Sequence, residues 1–143
     1  MPMSLAVFQI DPFDGIEIPF FDVGVSAGKP SYVSEYFEDT INLNRELIRN
    51  PKSSFCVRVS GQSMVGAGID DGDLLIVDKE KQAQNQSIIL AVINGEYTVK
   101  RLLIDGEDFY LLPENPAFEK LKITQFMDFR IWGVVSGLIK KMD

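Results

Sequence analysis

The chain has 143 residues, of which 45% are hydrophobic and 24% are charged, a composition typical of one globular domain. Its formal net charge of −7 argues against direct DNA binding. The chain has no histidine and a single cysteine, Cys56, which argues against a zinc site and against an internal disulfide. The absence of a possible disulfide indicates a reducing, cytoplasmic location. No apolar run approaches ~20 residues, and residues 1–28 contain no Lys or Arg, so we expect neither a membrane anchor nor a secretory signal.

Residues 1–40 are predicted to form an extended N-terminal arm. Prolines at positions 2, 12, 19 and 30 interrupt the segment, and no helical period is sustained across it. The segment is acidic, yet it carries several apolar residues between positions 16 and 23. A segment of this kind is suited to lie along a groove or a sheet edge.

Residues 41–143 are predicted to be mostly β, as a small folded sheet or barrel. A short helix at 42–48, with Thr40 or Asn42 as its cap, is expected before the first strand. Turn signals at Asn94-Gly95, a type I′ hairpin candidate, and at Asp105-Gly106 separate later strands. The strands are predicted at 54–60, 74–77, 88–93, 97–103, 109–112 and 130–139.

Ser63 and Lys100 are the candidate catalytic pair. A nucleophilic serine needs a base, and without histidine a lysine is one of the few bases left. Ser63 follows a predicted strand in a glycine-flanked turn, where the backbone N–H groups of Gln62 and Ser63 are expected to form an oxyanion hole. Alternation along the strand places Lys100 between apolar neighbours, where loss of hydration is expected to lower its pKa. The pair predicts a serine protease.

Each of these residues, taken alone, has a simpler interpretation. A serine in a glycine-rich turn is more often a turn residue or helix cap, and a lone lysine on a strand more often protects a sheet edge. The acidic run at 70–73 lacks the ligand order of a calcium loop and is interpreted as a tight turn. With no phosphate-binding loop or dinucleotide fingerprint, we predict no metal and no cofactor.

Three motifs resemble the LexA/UmuD family of self-cleaving serine peptidases, the peptidase S24 type. They are VSGQSM at 59–64, GIDDGDLLIV at 68–77 and GEYTVKRL at 95–102. In that family the first motif carries the nucleophile and the third carries the lysine base. The resemblance therefore implies that Ser63 is the nucleophile and Lys100 the general base, and it extends over about residues 20 to 140.

The resemblance also implies a cleavage site. The sequence VSAG at 25–28 resembles the family's scissile sequence and places the cut between Ala27 and Gly28. Residues 1–40 then form the arm that contains the cleavage site, and residues 41–143 the peptidase and dimerisation domain. The 35 residues from Gly28 to Ser63 span up to ~115 Å when extended, so cleavage within one chain and cleavage between two chains both stay open.

The short acidic segment before the cut resembles the UmuD branch of the family more than its repressors, which carry a DNA-binding domain there. That resemblance implies a homodimer in the SOS response to DNA damage. Its partners are expected to be the RecA–single-stranded-DNA filament, which stimulates self-cleavage, and a UmuC-type subunit of an error-prone translesion polymerase. Two alternatives stay open: a LexA-like or stand-alone peptidase acting on another substrate, and a dimeric interaction module that does not cleave.

Overall fold

The computed structural model of the chain describes residues 4–10, 17–20 and 39–143. By their contacts these residues form two compact units, 4–10 with 50–143 and 17–20 with 39–49. The boundary expected at residue 40 stays a prediction.

The larger unit is built on one antiparallel sheet, which confirms the predicted mostly-β fold. The strands of this sheet are β1 (Ser4–Gln9), β4 (Ser54–Ser60), β5 (Leu74–Asp78), β6 (Ile88–Ile93), β7 (Glu96–Asp105), β8 (Asp108–Leu112), β9 (Leu121–Lys122) and β10 (Phe129–Ile139). Their order in the sheet is β1-β4-β5-β10-β6-β7-β8-β9.

The smaller unit contains a strand pair and a short helix. Strand β2 (Glu17–Phe20) pairs antiparallel with β3 (Asp39–Asn42), and helix α1 (Leu43–Leu47) follows directly. The side chain of Asn42 caps this helix by accepting hydrogen bonds from the backbone N–H groups at positions 44 and 45, as predicted. None of the helices in the described part of the chain has the length and hydropathy that a membrane crossing requires.

Local sequence patterns fix the strands that lead to the site. In β4 the alternate residues Phe55, Val57 and Val59 are buried, while the residues between them are more exposed, as the alternation predicted. Asn94 and Gly95 both have positive φ, 50° and 84°, which is the backbone conformation that a two-residue I′ hairpin between β6 and β7 requires.

The sheet carries a core on both of its faces. One cluster centres on Val57, Leu75, Leu90 and Val99, and a second centres on Ile89 with its neighbours from β7, β8 and β10. Adjacent residues of β6 thus belong to different clusters, because successive side chains of a strand point to opposite faces. Strand β6 is therefore buried on both sides.

The sheet curls, and this curling matters for the site. Strand β1 contacts β7 although four strands lie between them in the sheet order. Strand β10 has register irregularities beside Gly133 and Gly137, where bulges bend a strand and increase its twist. A Cβ atom at Gly133 would meet a Val77 methyl carbon at 2.5 Å, so glycine permits the close approach of β10 and β5 there.

Candidate active site

The candidate nucleophile lies in the loop that joins β4 to β5. Gly61 opens this loop with a φ of 108°, a conformation that glycine adopts without strain. A single 3₁₀ turn, Val65–Ala67, follows Ser63. The Ser63 side chain is buried, with 1% of the residue exposed. Ser63 therefore lies below the protein surface, where it lines a cleft.

The Lys100 amine meets the Ser63 hydroxyl. The Nζ atom lies 3.1 Å from Ser63 Oγ, 2.9 Å from Thr98 Oγ1 and 3.1 Å from the backbone oxygen of Val99. Thr98 and Lys100 are on the same face of β7, as alternation predicted. The structure thus brings together the two residues that the sequence singled out.

The three oxygen atoms around Nζ could each accept a hydrogen bond from the charged amine, and they also suit the neutral form. A neutral lysine has two N–H donors and one lone pair, whereas the charged form has three donors and no acceptor. The Thr98 hydroxyl and the Val99 carbonyl can take the two donors. The lone pair is then left to accept the proton of the Ser63 hydroxyl, which is the arrangement that general-base catalysis requires.

Burial lowers the pKa of the Lys100 amine. Desolvation disfavours the charged form, and no carboxylate of the described residues offsets this effect by pairing with Lys100. The shift has the direction that a lysine base needs, because it raises the fraction of neutral amine near physiological pH.

Two backbone N–H groups are positioned beside the serine. The N–H groups of Gln62 and Ser63 donate to none of the described residues, whereas the preceding N–H, that of Gly61, donates to Asp71 Oδ1 at 2.9 Å. Unpaired amides next to a nucleophile are the usual donors to the negative oxygen of a tetrahedral intermediate. The predicted oxyanion hole of Gln62 and Ser63 stays a prediction that this arrangement favours.

A second loop, which contains Glu114 and Asn115, hydrogen-bonds to the β4–β5 loop at residues 61–73, called the serine loop because it carries Ser63. Sequence reasoning did not identify this contact. The backbone N–H of Glu114 donates to the Ser63 oxygen at 2.8 Å, and Asn115 Nδ2 donates to the Gln62 oxygen at 2.8 Å. The sequence Asn115-Pro116 is typical of a loop, but it does not indicate this contact. The brace comes from a segment about 50 residues away in sequence, so spacing alone could not reveal it.

Ser63 and Lys100 line one cleft of about 860 Å³. Apolar side chains of Leu5, Leu111 and Phe118 line it as well, together with the hairpin residues 93–98. A concave site with apolar walls and a few convergent polar groups is the usual form of a binding site. This cleft has the size to hold several residues of an extended peptide.

The remaining sequence predictions have different outcomes. Ala27 and Gly28 lie outside the described residues, so their position relative to Ser63 stays a prediction. The acidic run at 70–73 forms the predicted tight turn, with the N–H of Asp73 donating to the Asp70 oxygen at 3.1 Å. Burial raises the pKa of the Cys56 thiol, which makes a thiolate nucleophile scarcer there. Among the described residues, no cluster of three metal-ligating side chains occurs.

Comparison with known proteins identifies the family of this chain. The model of the family described as "Peptidase S24-like" matches residues 19–136, which include both Ser63 and Lys100. The chain belongs to the peptidase S24-like family. This S24 chain is thus a member of the LexA/UmuD group of self-cleaving serine peptidases, as its motifs predicted.

The curated relatives of this S24 chain fall into two groups by chain length. It is 41% identical to the LexA repressor of Caldicellulosiruptor saccharolyticus over 82% of this chain and 56% of that protein. It is 39% identical to protein SamA of Salmonella typhimurium, over 86% of this chain and 85% of SamA. Protein MucA of Escherichia coli is 37% identical, with 83% and 82% covered. The chain therefore spans about half the length of the LexA repressors and most of SamA and MucA.

Proposed function

We propose that the protein is a self-cleaving serine endopeptidase of UmuD type, in which Ser63 attacks the Ala27–Gly28 bond with Lys100 as general base. The observation that carries the proposal is the distance of 3.1 Å between Ser63 Oγ and a partly buried lysine amine that pairs with no carboxylate of the described residues. The S24 family membership supports the same chemistry. Nothing in this proposal requires a metal or a cofactor.

The proposed reaction has two steps. In the first, Lys100 Nζ takes the Ser63 proton while Oγ bonds to the Ala27 carbonyl carbon, and the Gln62 and Ser63 amides stabilise the resulting oxyanion. The tetrahedral intermediate collapses, the C–N bond to Gly28 breaks, and Lys100 returns the proton to the leaving amine. In the second step a water molecule, deprotonated by Lys100, hydrolyses the acyl-serine and regenerates the hydroxyl.

The biological role that we propose is that of a cytoplasmic, homodimeric accessory subunit of an error-prone translesion polymerase. A RecA–single-stranded-DNA filament would stimulate cleavage, and a UmuC-type subunit would bind the trimmed dimer. The similarity to SamA and MucA, which are 39% and 37% identical to this chain, supports this role. A LexA-like peptidase is the second candidate, favoured by the 41% identity to a LexA repressor.

The proposal is tested by incubating the purified full chain between pH 7 and pH 10 and following its mass. We expect a product that begins at Gly28, and no product from Ser63→Ala, Lys100→Ala or Gly28→Glu. Ser136→Ala and Lys122→Ala, which alter exposed residues outside the cleft, should cleave like the wild type. Cleavage by the Ser63→Ala or Lys100→Ala variant, or a product with another N-terminus, would contradict the assignment.

Two further measurements separate the candidate roles. A UmuD-type protein should cleave faster with RecA, nucleotide and single-stranded DNA, and its trimmed form should co-purify with a UmuC-type subunit. A repressor should instead bind a specific duplex sequence as the intact chain. Failure to cleave under every condition, in a folded protein, would favour the non-cleaving interaction module.

A further inference from the structure

The residue after the candidate base forms an ion pair that the proposed chemistry does not use. Arg101 Nε lies 2.5 Å from Glu114 Oε1, and the two side chains are only 25% and 31% exposed. The guanidinium also donates to the Gln86 oxygen at 2.7 Å. By contrast, the Lys122–Asp108 pair on the neighbouring strands is 3.7 Å long and more than half exposed on both sides.

Glu114 holds the serine loop through its backbone rather than its side chain. Its N–H donates to the Ser63 oxygen at 2.8 Å, and its own oxygen accepts from the Gly66 N–H at 2.6 Å. The loop is thus fastened at the serine and again three residues later. A Cβ atom at Gly66 would lie 2.6 Å from the Glu114 oxygen, so the two segments approach closely only because residue 66 is glycine.

Strand pairing does not fix the position of Glu114. The ladder between β7 and β8 ends with Arg101 opposite Leu112, and Glu114 lies two residues beyond that point. The hydrogen bond from Arg101 to the Glu114 side chain holds the residues that follow β8 beside β7. Because Arg101 follows Lys100 in the chain, the ion pair ties the serine loop to the strand that carries the base.

We infer that Arg101 and Glu114 are positioning residues that hold Ser63 against Lys100, an inference that rests on the proposed function. They touch neither the substrate nor the reacting atoms. They fix the loop relative to β7, so that the Ser63–Lys100 contact is maintained without a direct strand pairing between β4 and β7. A misplacement of about 1 Å at a reacting group costs on the order of 100-fold in rate. Loss of the contact between Arg101 and Glu114 should therefore lower the cleavage rate measurably.

The test compares full-length variants by their cleavage rate across pH. Glu114→Ala and Arg101→Ala should each cleave about 10- to 100-fold more slowly than the wild type. Since a loosened loop admits water beside Lys100, the midpoint of the pH–rate profile should move to higher pH. The double variant should be no slower than Arg101→Ala, because that single variant already lacks the contact between Arg101 and Glu114. Glu114→Gln, which keeps the acceptor oxygen, should recover most of the rate. If Glu114→Ala does not fold, Arg101→Ala supplies the test of the same ion pair.

Asp108→Ala is the matched control, because it breaks an ion pair on β8 that does not touch the serine loop. It should leave both the rate and the pH midpoint unchanged. A lower thermal midpoint in Glu114→Ala or Arg101→Ala with an unchanged pH–rate midpoint would mean a merely structural role and would overturn the inference.

A second readout separates this inference from the proposed function. The titration of Lys100, followed by the ¹³C chemical shift of its Cε atom, does not require cleavage. It should move to higher pH in Glu114→Ala and stay in place in Asp108→Ala. If the wild type does not cleave, the proposed function fails while this titration still tests the brace. An unchanged Lys100 titration in both variants overturns the inference whether or not the wild type cleaves.

Discussion

The Nζ atom of Lys100 lies 2.9 Å from the hydroxyl oxygen of Thr98, two residues earlier on the same face of β7. This contact orients the amine, because the Thr98 hydroxyl and the Val99 carbonyl fix two of its three directions and leave the third toward Ser63. The hydroxyl also stabilises the ammonium form, since hydrogen bonds to a charged donor are stronger than those to a neutral one.

Thr98→Val removes this hydroxyl while keeping the shape of the side chain. We expect the highest cleavage rate to fall roughly tenfold, the equivalent of about one hydrogen bond. Because the ammonium loses an acceptor, the pKa of Lys100 should fall further and the pH–rate midpoint should move to lower pH. Thr98→Ser, which retains the hydroxyl, is the control. Identical profiles for Thr98→Val and the wild type would show that Thr98 has no part in the reaction.

Unassisted cleavage of the wild type should accelerate as pH rises. Lys100 must be neutral to accept the Ser63 proton, and burial lowers its pKa below the ordinary lysine value of about 10.4. The first-order rate should therefore reach half of its plateau below that pH, in a protein whose circular dichroism is unchanged. A flat profile from pH 7 to pH 10 would argue against lysine deprotonation as the requirement.

Lys100→Met should stabilise the protein near neutral pH. The folded state of the wild type holds Lys100 with a lowered pKa, so between the folded and unfolded pKa values the unfolded chain binds more protons. Wild-type stability must rise with pH across that interval, whereas the variant lacks this rise. The gain in urea-unfolding free energy should thus be largest near pH 7 and shrink toward about pH 10.

The comparison variant is Lys122→Met, whose side chain is more than half exposed. Its effect on the unfolding free energy should be small and should vary little between pH 7 and pH 9. An equal pH dependence of the two variants would contradict a special environment for Lys100.

Gly133→Ala should destabilise the curled sheet. The added methyl group would lie 2.5 Å from a Val77 methyl carbon and 3.0 Å from the Asp78 oxygen, so β10 or β5 must shift. Overpacking of this kind costs typically 1–3 kcal/mol, measurable by urea unfolding. Gly68→Ala probes backbone strain alone, because that glycine has positive φ and open space around its missing Cβ atom. A neutral effect of Gly133→Ala would mean that the bulge relaxes freely.

Patterns within single strands and turns could be predicted from the sequence. The alternation at Phe55, Val57 and Val59 predicted β4, and Asn94-Gly95 predicted the hairpin, because strand period and turn conformation depend on neighbouring residues. The same period placed Lys100 and Thr98 on one face. Lack of histidine then left the Ser63–Lys100 pair as the simplest source of a nucleophile and a base.

Contacts between distant segments could not be predicted in this way. Nothing in the sequence around Glu114 indicates that its N–H meets the Ser63 oxygen, because that contact depends on how the sheet curls. The curl in turn involves bulges in β10 beside Gly133 and Gly137, which local propensity does not specify. The sequence thus predicts the reacting groups but not the brace that positions them.

Strand β1 adds a dissociation step after the proposed cleavage. It pairs along β4 from Ser4 opposite Ser60 to Gln9 opposite Phe55, yet Val7 and Phe8 remain nearly half exposed. Since β1 and β2 both precede the proposed cut, breaking the bond at Gly28 leaves the N-terminal fragment attached to β4 and β3 by non-covalent contacts alone. The immediate product is then a nicked complex of two chains, and the N-terminal fragment leaves only by dissociation. Rebinding of the fragment follows mass action, so dilution rather than further chemistry completes the exposure of the β4 edge.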